Sequence, residues 1–211
     1  MQAAGFRRCA ITRRSSSALI GCADSAAVCG GTSHTRRISV APAESTRGGA
    51  IITGANGASL HLPPAESAVG PYRKAIYCPK SQILFTSTHV GTDDSNEIVR
   101  GKVGACGSEG IIPPEEAKEY ARNSGLRLLA TIHNHLGGDL SRVEQVLKLT
   151  GLVNGTEGFS EHGAVINGCS EVLIEAFGEE RGVGARVCSG AGSLVGAVSC
   201  DLELRVRPAA E

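Results

Sequence analysis

Residues 198–207, Val198-Ser199-Cys200-Asp201-Leu202-Glu203-Leu204-Arg205-Val206-Arg207, alternate between apolar and polar side chains without a break. A β-strand sends successive side chains to opposite faces, so Val198, Cys200, Leu202, Leu204 and Val206 form one apolar face. Ser199, Asp201, Glu203, Arg205 and Arg207 form a charged one. The segment before it, about 185–191, follows the same period: Arg186 and Cys188 share one face, Ala185, Val187 and Ser189 the other. Together the two strands suggest a small polar site on the sheet face turned away from any covering helices. The plainer alternative is a solvated face carrying ordinary charges.

Upstream, Ala75-Ile76-Tyr77 and Ile83-Leu84-Phe85-Thr86-Ser87 read as strands joined by the turn Cys78-Pro79-Lys80-Ser81, with a weaker strand from Ile98-Val99 to Val103. Pro113-Pro114-Glu115-Glu116 has the proline and acids of a helix start. Ala117, Tyr120, Ala121, Leu128, Ile132 and Leu136 recur behind it at helical spacing, up to Gly137-Gly138. His133-Asn134-His135 lies at that helix end; residues two apart on a helix do not converge, so no metal pair is expected there. Val143 to Val153 reads as a strand. The stripe Val165, Ile166, Cys169, Val172, Leu173, Ala176 and Phe177 reads as a second helix closed by Gly178. The order β-β-(β)-α-β-α-β-β predicts an α+β fold with two helices on one face of a mixed sheet.

The 211 residues include 28 Gly, no Trp and only 3% aromatics, so the core is built from aliphatic side chains and base-stacking surfaces are sparse. No apolar run reaches the roughly 18 residues of a membrane helix. The formal net charge of zero hides an asymmetry. Residues 1–49 hold seven Arg against Asp24 and Glu44, leaving fourteen basic and nineteen acidic residues in 50–211. An acidic domain argues against nucleic acid as a partner. The Arg-rich, Ser-rich and acid-poor start, residues 1–49, has the composition of an organelle transit peptide or, alternatively, of a disordered N-terminus; the first reading points to the mitochondrial matrix or a plastid for a domain at 50–211. Eight scattered Cys, without a CxxC pair, read as thiols rather than as a disulfide framework or zinc site.

Several strings taken in order resemble the RidA family, the YjgF-type proteins also labelled endoribonuclease L-PSP. They are Gly70-Pro71-Tyr72, Phe85-Thr86-Ser87, Gly137-Gly138-Asp139-Leu140, Val165-Ile166-Asn167-Gly168, Ala185-Arg186-Val187-Cys188 and the alternating last strand. The resemblance spans Ser59 to Val206 and looks like a divergent branch. It implies a chorismate-mutase-like fold, a homotrimer with ligand clefts between subunits, and no cofactor or metal. The implied chemistry is deaminase-like hydrolysis of reactive 2-imino acids to 2-oxo acids and ammonia. By the same resemblance Arg186 grips the substrate carboxylate, Tyr72 closes the pocket, and Asp201 stands where a water-orienting glutamate is usual. Cys188, Asn167, Ser87 and Thr88 line the substrate site. Asp201 is one methylene short, Thr88 replaces a glycine, and Leu194-Val195 replaces a Leu-Pro pair. Alternatives are a non-catalytic small-carboxylate-binding or protein-interaction module of the same fold and, less in keeping with the charge, a ribonuclease.

Overall fold

The computed structural model describes residues 49–105 and 110–209, so the segment 1–49, expected to be a transit peptide, lies almost wholly outside the described residues. Its first elements are an antiparallel hairpin, β1 (Ile51–Thr53) with β2 (Ser59–His61). Then come β3 (Ala75–Cys78), β4 (Ile83–Thr86), β5 (His89–Val90), β6 (Lys102–Val103), β7 (Ile111–Ile112) and α1 (Pro114–His135). The chain ends with β8 (Val143–Val153), α2 (His162–Gly182), β9 (Ala185–Gly190) and β10 (Val198–Val206).

The alternating last strand becomes an interior strand of the main sheet, whose order is β3-β4-β10-β8-β9, with β5 also paired to β10. All pairings are antiparallel except β8 with β9, which makes the sheet mixed as expected. The apolar face of β10 is buried from Val198 to Val206, together with Leu84, Val146 and Leu149 from neighbouring strands. Against it lie Leu128, Leu129 and Ile132 of α1 and Ile166 and Leu173 of α2, all nearly inaccessible to solvent. Burying a Leu or Ile side chain is worth about 1.5–3 kcal/mol, so this helix-covered face carries most of the fold's stability.

Small residues let the two helices approach. A Cβ on Gly125 would lie 3.3 Å from Cys169 Sγ, and one on Gly168 would lie 2.0 Å from the Lys118 carbonyl oxygen. Outside this seam Arg122 donates to both Glu175 oxygens at 2.7 and 2.8 Å, and Lys118 pairs with Glu171 at 2.7 Å.

Three expectations change. The weak strand from Ile98 to Val103 reduces to β6, which pairs in parallel with β7, while Ile98 makes only an isolated bridge to Thr92. The β1–β2 hairpin and the short strands β5 and β7 are additional to the expected order. The second helix begins at His162, ahead of its apolar stripe, and Gly178 interrupts it at φ 79° and ψ 165° instead of ending it.

Candidate functional site

Arg186 lies on β9, the edge strand beyond β8. It faces Leu149 across the β8–β9 ladder, and Leu149 pairs in turn with Leu202 of β10. Both leucines belong to the buried, helix-covered face. Arg186 therefore points toward the helices, as does Cys188, whose row continues through Gly151 to buried Cys200. The two residues share a face as the period requires, but it is the face that α2 covers and not the open one. The correction follows from register, which sets the face of a strand relative to its neighbours.

At this edge the first turns of α2 reach Arg186. Its Nη1 donates to Asn167 Oδ1 at 2.7 Å and to Ser170 Oγ at 3.1 Å. Asn167 and Ser170 are three apart on the helix and so occupy one side of it. The guanidinium remains exposed, its side-chain partners are neutral, and among the described residues no carboxylate forms a salt bridge with it. His162, at the start of α2, stacks edge-on with Phe159 at 5.0 Å and would meet a Cβ on Gly190 at 2.7 Å, so it ends the same row. Ser170 was not among the expected site residues; its three-residue offset from Asn167 is the only sequence signal for it.

Cys188 is half-buried, and burial pushes its thiol up from the ordinary value although Arg186 pulls the other way. A reactive thiolate is thus not favoured here. Cys169 is pushed well up by its contact with Cys200 and by burial.

Asp201 occupies the open face, paired with Thr150 on β8. Between Phe85 opposite Glu203 and His89 opposite Cys200, the β4–β5 side advances four residues while β10 advances three. This is a bulge at Ser87-Thr88. It brings Thr88 beside Asp201, whose ladder partner on β8 is Thr150. Burial raises the Asp201 carboxyl above its ordinary value, opposed by Thr150, Lys148 and Thr88. The Ser87 hydroxyl donates to the Arg73 carbonyl at 2.6 Å, which fixes the approach to β3. Glu66 adds to this by binding Lys74 at 2.9 Å and also Arg127 of α1. Tyr72, 45% exposed, stands on this braced segment before β3, at the opposite edge of the sheet from β9.

Of the residues expected to act together, Arg186, Asn167 and Cys188 are thus assembled in one chain. Asp201 with Thr88, and Tyr72 with Ser87, stand elsewhere on the sheet. Among the described residues no group of three His, Cys, Asp or Glu could hold a metal ion, and no helix is long and apolar enough to cross a membrane.

His89, the first residue of β5, lies in the interior of the fold. It is fully buried, with Nδ1 2.8 Å from the Ser87 carbonyl and Nε2 2.8 Å from Thr131 Oγ1. Burial and the nearby Lys74 charge lower its pKa from 6.5 to about 4. Between those values the unfolded chain binds a proton that the folded chain refuses, so this stabilisation is complete above 6.5 and is lost as pH falls toward 4. The expected loss is about 3 kcal/mol at roughly 1.36 kcal/mol per unit. Urea midpoints taken along this range should drop for the natural chain and much less for His89→Gln; parallel curves would show that His89 is not the source.

No protein-family model matches the chain. Protein TCP17 of Trypanosoma cruzi is 31% identical over 131 residues, covering 62% of this chain and 78% of that protein. A protein of unknown function from Agrobacterium tumefaciens has the same fold, with a TM-score of 0.61 and 26% identity over 71% of this chain and 88% of its own. A candidate endoribonuclease from Shewanella oneidensis also gives a TM-score of 0.61, at 23% identity, over 70% of this chain and 93% of its own. YjgF and L-PSP proteins stand among the further matches. The chain belongs to the YjgF/L-PSP family. Membership accounts for the order of elements from β3 to β10. The α2-to-β9 region that carries Asn167 and Arg186 falls within the stretch, Ser59 to Val206, over which the sequence resembles the family.

Proposed function

We propose that the protein hydrolyses small 2-imino acids to 2-oxo acids and ammonia in clefts between the subunits of a homotrimer. The single observation that carries this reading is the exposed Arg186 guanidinium, held by two neutral partners and, among the described residues, left without a counter-charge. Such a group is preorganised for a carboxylate, which it can grip through two parallel N–H donors. A protonated imine beside that carboxylate is already electrophilic. Water adds to C2 and gives up a proton; the carbinolamine then collapses to C=O while its C–N bond breaks and ammonia leaves. The protein need only bind the anion, orient the water and accept the proton.

Asp201 is the group proposed to orient water; it stands opposite Thr150 and beside Thr88 on the open face. Arg186 and Asp201 occupy opposite faces of one sheet and Tyr72 lies at the far edge, so the complete site calls for a second copy of the chain. The open face supports such an association: Ile76, Phe85 and Val187 are 52%, 39% and 47% exposed there. A mitochondrial or plastid location follows only from the composition of residues 1–49.

One observation favours non-catalytic carboxylate binding instead: Asp201 is half-buried opposite Thr150, and burial pushes its carboxyl toward its neutral form. The deciding experiment couples the full chain to a pyridoxal-phosphate threonine dehydratase and follows loss of released 2-iminobutanoate. Dose-dependent acceleration is expected. A folded protein that gives none, yet binds 2-oxobutanoate by calorimetry, would leave the binding module as the correct function.

A further inference from the structure

Beside Arg186 a cavity of about 150 Å³ opens between α2 and the β8–β9 edge of the sheet. Val146 and Leu149 of β8, Leu173 and Ile174 of α2, and Val183 of the connection to β9 form its apolar wall. Its polar end consists of Ser170 and Arg186. That end is tied to the carboxylate clamp, because the Ser170 hydroxyl beside the cavity is the one that accepts from Arg186 Nη1. Nothing in the hydrolysis described above uses this space.

A carboxylate held by Arg186 fixes C1 of a 2-imino acid, and the side chain beginning at C3 must then go somewhere within a few ångströms. The neighbouring volume is apolar and of the size that accepts a benzene-like group. The methyl of 2-iminopropanoate or the ethyl of 2-iminobutanoate would leave most of it unfilled, and unfilled apolar space forfeits contacts. A branched four-carbon side chain fills it with its hydrocarbon and needs no polar partner. We infer that the cavity is the side-chain pocket of the site and selects 2-imino acids with a branched or larger apolar side chain, such as 2-imino-4-methylpentanoate. The inference rests on Arg186 being the carboxylate clamp of the proposed function.

The chemistry of supply follows. β-Elimination from serine or threonine yields only unbranched imino acids. A branched one arises when a flavin-dependent amino-acid oxidase removes a hydride and a proton from leucine and passes the two electrons to O2, giving hydrogen peroxide and the C=N bond. Water then replaces the imine nitrogen as above, releasing ammonia and 4-methyl-2-oxopentanoate.

The test uses the full chain, with imines formed in situ by one L-amino-acid oxidase, plus catalase, from leucine and from 2-aminobutanoate. In parallel, calorimetry measures binding of 4-methyl-2-oxopentanoate and 2-oxobutanoate. Two additional buried carbons favour the leucine-derived ligand by about tenfold in kcat/KM and in affinity. Ile174 is only partly buried; Ile174→Trp should reduce that preference to about unity, because the indole occupies the cavity. Ile174→Ala, which enlarges the pocket without overpacking, should move the preference toward the phenylalanine-derived imine. Equal affinities of the two 2-oxo acids, unaffected by either variant, would overturn the pocket even if both imines are hydrolysed. Tenfold tighter 4-methyl-2-oxopentanoate without imine hydrolysis would uphold the pocket and overturn the deaminase.

Discussion

Replacing Arg186 with Ala is expected to lower kcat/KM for 2-iminobutanoate by about 10²- to 10³-fold while leaving the thermal midpoint and the oligomer mass unchanged. A charge-assisted hydrogen bond contributes about 1.5–3 kcal/mol, and the fork makes two of them to one carboxylate. Losing about 2.7–4 kcal/mol of binding in the transition state corresponds to that range of rates. Stability should not follow, because the guanidinium is exposed and its two protein partners, Asn167 and Ser170, remain accessible to water once it is gone. Arg186→Lys keeps the charge but not the planar fork, so it should recover only part of the loss. Steady-state kinetics of the three proteins beside their melting curves make the check. A natural rate in Arg186→Ala would remove the carboxylate clamp, and with it the reason for placing the chemistry at this edge of the sheet.

The large elements were legible because burial imposes a period on them. The β10 alternation survives intact as Val198, Cys200, Leu202, Leu204 and Val206 against the core, and the stripes from Ala117 to Leu136 and from Val165 to Phe177 face the same interior. The short strands carry no such signal. β5, β6 and β7 have two residues each, and β1 and β2 three, too few for an alternation to stand out from chance. The early start of α2 was hidden for a related reason. His162, Gly163 and Ala164 precede its apolar stripe and have no side-chain cap, so neither of the usual markers of a helix start was present.

The site was half legible. Period alone joins Arg186 to Cys188 and separates them from Val187, but it leaves open which of the two faces each set occupies. That choice depends on how β9 registers against β8, with Leu149 beside Arg186 and Gly151 beside Cys188, and a parallel edge strand gives no sign of its register in its own sequence. The bulge at Ser87-Thr88 is equally silent. It appears only when β4 and β5 are laid against β10, where Thr86 Oγ1 accepts from the Leu202 N–H at 2.8 Å and so substitutes for a backbone partner. Asp201 owes its Thr88 neighbour to that irregularity, whereas Thr150 faces it through the regular β8–β10 ladder. The distance in sequence between Arg186 and Asp201 therefore says little, whereas their opposite faces say that one chain alone does not unite them.

The second large effect is structural: Gly168→Ala is expected to destabilise the fold by about 4 kcal/mol, above the usual range for overpacking. In a helix interior Ala would ordinarily be the better residue by about 1 kcal/mol. Here the added Cβ would lie 2.0 Å from the Lys118 carbonyl oxygen and 3.0 Å from the Arg122 N–H nitrogen, both backbone atoms of α1 that no rotamer change can move. Relief requires α1 and α2 to separate. Separation pulls Cys169 and Val172 off Gly125 and lengthens the Arg122–Glu175 pair that now closes the seam at 2.7 and 2.8 Å. It also moves Asn167, the residue immediately before Gly168 and the principal support of Arg186. The variant should consequently lose carboxylate affinity along with stability, unlike Arg186→Ala, which loses affinity alone. Urea unfolding and 2-oxo acid binding measured on the same preparation separate the two. An unchanged unfolding midpoint would mean that the helices do not meet as closely at Gly168 as the Lys118 contact requires.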